Sequence, residues 1–176
     1  MWHPNEQPEI ETLLQSWHAD MIGTLVFMQQ GDEVLLIYKK TGHGQGLFNG
    51  PGGKLEQGET PLECARRELR EELSVTADRL TPMARLRFID TAGPQWLGYV
   101  YCGHGLQGVP TESAEARPQW FPCTDLPLDR MWPDDSIWLP LILQGQSLEG
   151  DFLLSGQQLL CYRWRVAAWG REFEHK

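Results

Sequence analysis

Three glutamates lie within five residues of one another, at Glu68, Glu71 and Glu72, and a glycine-rich turn at residues 49–53 precedes them. Carboxylate oxygens are ligands that Mg²⁺ prefers, and this ion commonly binds through a few carboxylates, water and substrate phosphates. The glycines allow the backbone to approach the start of the following element closely. This combination predicts machinery for splitting a pyrophosphate bond with the help of a divalent cation.

The glutamates fall on a predicted helix. Thr60 is a candidate N-cap, Pro61 suits the first helical position, and Glu63 completes a capping box. An apolar stripe with the helical period consists of Leu62, Ala65, Leu69 and Leu73. The three glutamates cover about 100° of the helix beside this stripe. They are therefore expected at the edge of the buried face, partly shielded from water.

A simpler interpretation of these glutamates is a solvated helix face. The arginines that could pair with them there are Arg66, Arg67 and Arg70. The helix alone favours that interpretation. However, Glu71 and Glu72 are adjacent and Glu68 lies one turn away, so the like charges repel and destabilise the helix modestly. A bound cation would reverse the sign of this contribution.

Composition limits the classes of function. The chain has 176 residues, which suggests one domain, and a net charge of −9 with no basic run, so we expect no nucleic-acid partner. A small polyanionic substrate shielded by metal ions remains compatible. The spacing of the four cysteines suits no zinc site, and Cys64 and Cys161 are predicted to be buried thiols. The start of the chain resembles no signal peptide and no apolar run could span a membrane, so a cytoplasmic monomer is expected.

Periodicity predicts a mixed α/β domain. Residues 9–17 are predicted to form an amphipathic helix, and residues 137–144 a second one after the sequence Asp134-Asp135-Ser136. Residues 41–53 are predicted as a glycine-rich loop that matches neither a Walker A nor a dinucleotide-binding motif. The predicted strands cover residues 22–28, 34–38, 83–90, 97–102, 119–121, 150–154 and 159–166.

Residues 53–75 resemble the Nudix box, G-x5-E-x7-R-E-U-x-E-E-x-G-U, in which U is bulky and aliphatic. The matching residues are Gly53, Glu59, Arg67, Glu68, Leu69, Glu71, Glu72 and Val75. Ser74 stands where the final glycine belongs, and a serine there costs about 1 kcal/mol if its φ is positive. The resemblance implies a Nudix fold, an α/β/α sandwich with a central mixed sheet. Residues 21–176 are expected to form a single domain, with residues 1–20 as an N-terminal helical extension.

The resemblance also implies roles within the box. Glu68 and Glu72 correspond to the principal metal ligands of that family, and Glu71 to a further ligand or a residue that activates water. Arg67 and Glu59 correspond to a supporting ion pair that orients the helix. The implied cofactor is Mg²⁺, for which Mn²⁺ can substitute.

Two further metal ligands are expected outside the helix. Gly53 is one of them. A fourth carboxylate often comes from a later loop in this family, and Glu112 and Glu115 are the candidates, with Glu115 preferred. The sequence alone favours a plain solvent-facing charge for Glu115.

Segments outside the box resemble a narrower group, the MutT-type oxidised purine nucleoside triphosphate diphosphatases. The similar segments are residues 48–54, 117–121 and 131–140. By this resemblance Asp134 and Asp135 bind the edge of the base, Asn49 hydrogen-bonds the purine, and Trp132 stacks on it. Further residues that it places in the pocket lining are Thr24, Lys39 and Phe88.

This chain departs from the animal members of that group at two positions. His43 replaces an aromatic residue of the glycine-rich loop, and Asp90 replaces a second aromatic residue on the strand that holds Phe88. These two departures leave the purine preference open.

The two aspartates also have a purely physical interpretation. Two adjacent buried carboxylates do not ionise independently, and one tends to keep its proton. The pair then offers both a donor and an acceptor, and moving the proton could accommodate different purines. Alternatively, Asp135 or Ser136 caps the following helix, Trp132 is core, and Lys39 is a surface lysine. The resemblance shifts the balance towards base recognition.

Taken together, the sequence predicts Mg²⁺-dependent hydrolysis of oxidised purine nucleoside triphosphates, such as 8-oxo-dGTP or 2-hydroxy-dATP, to the monophosphate and pyrophosphate. An alternative keeps the chemistry with another substrate: a nucleotide sugar, a dinucleoside polyphosphate, a methylated purine triphosphate or capped RNA. A third possibility is a nucleotide-binding domain without catalysis, which an eroded box would favour. Every carboxylate of the box is present in this chain.

Overall fold

The computed structural model describes residues 1–4, 8–170 and 173. Its helices are α1 (Pro8–Leu14), α2 (Pro61–Leu73) and α3 (Asp135–Leu143), with a short 3-10 helix at Leu128–Arg130. The strands are β1 (Met21–Gln30), β2 (Glu33–Lys39), β3 (Phe48–Asn49), β4 (Gly52–Lys54), β5 (Thr76–Asp90), β6 (Trp96–Gln107), β7 (Ala116–Pro122), β8 (Leu148–Ser155) and β9 (Gln158–Val166).

These strands form one mixed sheet. Its main order is β3-β2-β1-β6-β5-β8-β9, with β4 paired to β1 and β7 paired to β2. The pairs β1–β6 and β5–β8 are parallel, and the other pairs are antiparallel. Parallel neighbours need crossover connections, so residues that are distant in sequence lie side by side on neighbouring strands.

Helices cover both faces of this sheet. Along β1, Phe27 packs in the core beneath α3 with Trp138, whereas Val26 and Met28 pack in the core beneath α2 with Leu69. This alternation follows from the two-residue period of strand side chains. The predicted sandwich of helices around a mixed sheet is confirmed.

The glycine-rich segment is more ordered than the predicted loop at residues 41–53. It contains the short strands β3 and β4. A Cβ on Gly52 would lie 1.9 Å from the Thr24 carbonyl oxygen, so the pairing of β4 with β1 requires a residue without a side chain there. Alternating apolar residues, the usual strand signal, are absent from this stretch.

The prediction of a helix over residues 9–17 is wrong at its end, because α1 stops at Leu14. Leu13 is 41% exposed, so the apolar spacing there does not mark a fully buried face. Trp17 lies beyond the helix, where its indole Nε1 donates to Gln95 Oε1 at 2.9 Å. The chain must leave the helix there to enter β1, since Asp20 and Met21 bond the Gln95 carbonyl oxygen.

Several other predicted boundaries are also wrong. β5 and β6 extend well beyond residues 83–90 and 97–102, because they pair with each other from Thr76 opposite Gln107. The outer parts of this pair are largely exposed, and exposed strands lack the apolar alternation used for prediction. Smaller extensions occur at β7 and β8, and α3 begins two residues before the predicted residue 137.

The thiols follow the prediction only partly. Cys64 is buried as predicted, but Cys161 is half-buried because it lies on β9, at the edge of the sheet. Cys102, on the central strand β6, is the second buried thiol. No helix within the described ranges is both long and apolar enough to cross a membrane.

Candidate active site

The helix α2 presents the glutamates in the predicted register. Thr60 is its N-cap: the Thr60 side chain accepts from the Glu63 backbone at 3.3 Å, and the Glu63 carboxylate accepts from the Thr60 backbone at 2.9 Å. Ala65, Leu69 and Leu73 are buried against the sheet. These local interactions fix both the start of α2 and the face that it turns inward.

The three glutamates differ strongly in exposure. The side chains of Glu72, Glu68 and Glu71 are 3%, 12% and 59% exposed, respectively. Burial raises the pKa of Glu72 to about 7 and also raises the pKa of Glu68. The loss of hydration on burial therefore outweighs the stabilisation that neighbouring cations give to the two negative charges.

The turn before α2 contacts both buried carboxylates. The Gly52 backbone N–H donates to Glu72 Oε2 at 2.9 Å. A Cβ on Gly53 would lie 2.2 Å from Glu68 Oε1, so the Glu68 carboxylate occupies space that only glycine leaves free. The Gly53 carbonyl oxygen accepts from the Cys64 thiol at 3.6 Å.

Arg67 links the glutamates from the solvent side. Its guanidinium donates to both oxygens of Glu59 at 2.8 and 2.9 Å, to Glu68 Oε1 at 2.8 Å and to Glu71 Oε2 at 3.0 Å. Hydrogen bonding from Arg67 is the main reason that the pKa of Glu59 falls to about 2. Lys39 is the cation on the inner side, with its Nζ 3.4 Å from Glu72 Oε1.

The candidate loop carboxylates occupy different surroundings. Glu112 forms an ion pair with Lys40 and is 53% exposed. Glu115 is exposed, and its charge contributes to raising the pKa of Glu68, so it lies within electrostatic reach of the cluster. This difference makes Glu115 the freer of the two to act beside Glu68.

The donor set suits a hard cation. Four carboxylates of the box face two cationic side chains, Arg67 and Lys39, and all of them except Glu71 are largely shielded from water. In the conformation of the described residues, no three carboxylate, imidazole or thiol groups are arranged to hold a metal ion. Arg67 holds Glu68 and Glu71 instead. Clustered oxygen ligands and excess negative charge nonetheless match the requirements of a hard divalent cation.

A cavity of about 540 Å³ opens beside this cluster. It begins at the turn of Gly52 and Gly53 and extends to the start of α3. All seven residues predicted to bind substrate line it: Thr24, Lys39, Asn49, Phe88, Trp132, Asp134 and Asp135. One cavity therefore extends from the turn that contacts Glu68 and Glu72, which is its carboxylate end, to the pair Asp134 and Asp135, which is its aspartate end.

Each aspartate at the far end of the cavity has one carboxylate oxygen bonded to a protein donor. Asp134 Oδ2 accepts from the Trp138 indole Nε1 at 2.8 Å, and Asp135 Oδ2 accepts from the Trp132 backbone N–H at 3.0 Å. Burial raises the pKa of Asp134 to about 6, and burial together with the charge of Asp134 raises the pKa of Asp135 well above its usual range. Both shifts favour the protonated form, so this pair retains a proton to a higher pH than an exposed aspartate does.

The alternative roles considered for this segment fit less well. Asp135 accepts from the Trp132 backbone N–H before α3, and Ser136 Oγ donates to the Pro133 carbonyl oxygen at 3.0 Å. In these bonds neither side chain caps an N–H group in the first turn of α3. Trp132 lines the cavity and is not sealed in the core. Lys39 is mostly buried beside Glu72.

Two of the residues that line the cavity, Trp96 and Lys54, had no role predicted from the sequence. The imidazole of His43 stacks between Trp132 and Trp96, with ring centroids 4.9 and 5.5 Å away. Burial lowers the pKa of His43, with smaller contributions from Lys39 and Lys54. The unusual number of tryptophans, eight, was a signal for aromatic pocket walls, but it could not identify which tryptophans contribute.

Comparison with known proteins identifies the family. The NUDIX domain matches residues 18–142. The oxidized purine nucleoside triphosphate hydrolase of Mus musculus is 40% identical over 138 residues, which cover 78% of this chain and 88% of that protein, and its Danio rerio counterpart is 39% identical with the same coverage. The crystal structure of a mutator MutT protein from Bacillus halodurans has a TM-score of 0.73 over 82% of this chain and 97% of that chain, and at 24% identity it shows the fold. This chain belongs to the Nudix family.

Proposed function

We propose that this Nudix hydrolase converts oxidised purine nucleoside triphosphates, of the 8-oxo-dGTP and 2-hydroxy-dATP class, to the monophosphate and pyrophosphate. One observation carries the proposal: a single cavity runs from the turn at Gly52 and Gly53, which contacts the buried glutamates of α2, to the buried pair Asp134 and Asp135. The names of the mouse and zebrafish relatives support the same substrate class.

The aspartate pair is the proposed base-recognition element. Each carboxyl has one oxygen occupied by a protein donor, from Trp138 or from the Trp132 backbone, so its other oxygen is available to a ligand. With one proton between them, Asp134 and Asp135 offer a donor and an acceptor to the base edge. Asn49 adds an amide in the same cavity, and Trp132 and Phe88 provide stacking surfaces worth about 1–3 kcal/mol for each stacked base.

The glutamate cluster is the proposed cation site. Glu68, Glu71, Glu72 and Glu115, with the Gly53 carbonyl oxygen, would hold Mg²⁺ or Mn²⁺. When bound, the metal supplies charge neutralisation for the phosphates and lowers the pKa of the attacking water. Thr24 lies on β1 opposite Gly53, in the wall of the cavity between this site and the base.

The side chains around the cluster have separate tasks. Arg67 positions the helix carboxylates through its bonds to Glu59, Glu68 and Glu71. Glu71 is the most exposed of the three helix glutamates, which suits a group that accepts a proton from water. Lys39 lies inside the cavity and can offset phosphate charge while it keeps Glu72 in place.

The remaining assignments also belong to this proposal. Residues 21–176 form the catalytic domain, and residues 1–20 are an extension that packs on it through Ile10, which contacts Ile89 and Leu153. The protein acts as a cytoplasmic monomer on a small nucleotide, without nucleic-acid or membrane partners. The net charge of −9 supports the exclusion of long nucleic acids.

The test is a product analysis. Purified protein with Mg²⁺ should turn 8-oxo-dGTP into 8-oxo-dGMP and pyrophosphate, faster than it hydrolyses dGTP. Release of single phosphates would contradict the proposal, and faster turnover of nucleotide sugars or dinucleoside polyphosphates would assign another substrate. Asp134→Asn and Asp135→Asn should change the ratio of rates on 8-oxo-dGTP and 2-hydroxy-dATP, with Asp125→Asn, an exposed aspartate, as the matched control.

A further inference from the structure

His43 occupies a slot between two indoles in the cavity wall. Its imidazole is inclined by only 19° to the ring of Trp132 and by 25° to the ring of Trp96. In the described part of the chain the two indoles form no ring contact with each other, so they cover opposite faces of the imidazole. Rings in contact are about 3.5 Å apart, so the two indole faces are separated by about 7 Å. This is the separation that one planar base needs when it stacks on both sides.

The slot is accessible from solvent at His43. This residue is exposed, whereas Trp132 and Trp96 are half-buried, and all three line the cavity. Withdrawal of the imidazole would therefore uncover one face of each indole. The slot also lies beside the aspartate end, because the Trp132 backbone N–H donates to Asp135 Oδ2 at 3.0 Å. A base between the indoles would thus lie next to the proposed recognition groups.

Stacking is the main interaction that holds His43 in the slot. The imidazole forms no hydrogen bond or ion pair with any residue that the structure describes. A backbone bond beside it stays within the loop, since the Gln45 N–H donates to the Gly42 carbonyl oxygen at 3.1 Å. Gly42 and Gly44 flank His43 with φ of 75° and 79°, and glycine changes such angles at low cost. Rotation at these two glycines can withdraw the ring from the cavity.

We propose that the purine base of the substrate takes the place of the His43 imidazole between Trp132 and Trp96, and that His43 is therefore an internal competitor that lowers the affinity for the base. This inference rests on the proposed function for the identity of the ligand. A purine is larger than an imidazole and covers more of each indole face, so it displaces the ring. Because only the open slot binds the base, the apparent dissociation constant is the intrinsic one divided by the open fraction.

The test empties the slot with His43→Ala. Without Mg²⁺, calorimetric titration with 8-oxo-dGMP should give a dissociation constant about threefold to tenfold lower than for wild type, because no ring has to be displaced. His104→Ala is the matched control, since His104 is half-buried on β6 and does not line the cavity, and its dissociation constant should equal that of wild type. A dissociation constant for His43→Ala equal to or higher than that of wild type would overturn the proposal, because the imidazole would then not compete with the base.

The position of the imidazole can also be followed in the wild-type protein by proton NMR. Protons that lie between two indole faces resonate upfield of their usual positions, and we expect this for the ring protons of His43, assigned by their loss in His43→Ala. Saturating 8-oxo-dGMP should move them to ordinary histidine positions, whereas inorganic pyrophosphate, which carries no base, should leave them upfield. Resonances that stay upfield at saturating 8-oxo-dGMP would overturn the proposal.

These binding measurements distinguish the inference from the proposed function. A protein in which 8-oxo-dGMP displaces His43, but which hydrolyses no oxidised purine triphosphate, would refute the proposed function and retain the inference. Normal hydrolysis with His43 still between the indoles at saturating 8-oxo-dGMP would do the reverse.

Discussion

The two ends of the cavity are built in different ways. The carboxylate end comes from one continuous stretch, residues 52–72, in which the turn and α2 directly contact each other. The end that holds Asp134 and Asp135, called the base end below, collects residues from β1, β3, β5, β6 and the segment that leads into α3. Local spacing specifies the first end, whereas only the sheet topology assembles the second.

The two ends also handle buried negative charge differently. At the carboxylate end, Arg67 and Lys39 offset the glutamates, and a divalent cation would complete the balance. At the base end, Asp134 and Asp135 accept hydrogen bonds from an indole and from a backbone N–H. Burial raises the pKa of both aspartates, and in the proposed function the proton that the pair retains leaves a neutral hydrogen-bonding surface for a base.

Glu72→Gln should have the largest effect. It removes a charge needed for the cation while keeping the size of the side chain, so kcat with 8-oxo-dGTP should fall at least about a hundredfold, equivalent to about 2.7 kcal/mol. Since the lost charge is buried, the unfolding temperature should not fall. Glu33→Gln, on the exposed end of β2, is the control and should retain full turnover. Retained turnover in Glu72→Gln would remove the carboxylate end from the mechanism.

Gly53→Ala tests the close contact between the turn and α2. The added Cβ would lie 2.2 Å from Glu68 Oε1, so the Glu68 carboxylate must move. We expect turnover to fall by about tenfold to a hundredfold, because ligand position determines metal chemistry, and the apparent Mg²⁺ affinity to fall with it. Gly170→Ala, where a Cβ meets no atom within 4 Å, should change neither. An unaltered Mg²⁺ titration for Gly53→Ala would show that Glu68 is not a ligand.

The contrast between the two ends also explains what the sequence could predict. Capping residues, an apolar stripe and the spacing of charges all act within one helix, so α2 and the face that it buries were accessible to periodicity arguments. Trp96 and Lys54 were not, since Trp96 reaches the cavity through the parallel pairing of β1 with β6, and parallel pairing leaves no short-range signal. His43 and Asp90 were noticed as departures from a family pattern, yet the stacking of His43 between two indoles depends on strand placement.

Exposure was harder to predict than position. Residues 71 and 72 are adjacent, but Glu71 is largely exposed and Glu72 is buried. The difference arises because Glu72 faces the Gly52 backbone and Lys39, which approach α2 only after the sheet forms. The outer parts of β5 and β6 were also not predicted, because they are stabilised mainly by pairing with each other and not by a pattern of buried side chains.

Asp135→Asn should reveal the proton at the base end through stability. Both aspartates bind protons more tightly in the folded protein than in the unfolded chain, where their pKa is about 3.9. This contribution to stability is present below about pH 4 and is lost as the pH rises through the folded pKa values. Asparagine stays neutral, so the unfolding temperature of the variant should rise relative to that of wild type as the pH increases from 4 to 8.

The control for that measurement is Asp125→Asn, which removes an exposed aspartate. Its unfolding temperature should follow that of wild type at every pH. A constant difference between Asp135→Asn and wild type across this pH range would mean that the pair is ionised in the folded protein. In that case both ends would carry negative charge, and the contrast between them would disappear.

Ser74→Gly should have the smallest effect, a slight gain in the free energy of unfolding. Ser74 has a φ of 59° and is the one non-glycine residue with a positive φ in the part of the chain that the structure describes. Glycine removes the steric cost of this conformation but gives the unfolded chain more freedom, so the net gain should be about 0.5–1 kcal/mol, or about 2 °C. Ser16→Gly, at a residue with ordinary φ, should lose stability instead. Ser74 follows Glu72 by only two residues, so a change at the end of α2 could move the Glu72 carboxylate. Unchanged kcat in Ser74→Gly would show that the contacts of Glu72 with Gly52 and Lys39 hold the carboxylate in place.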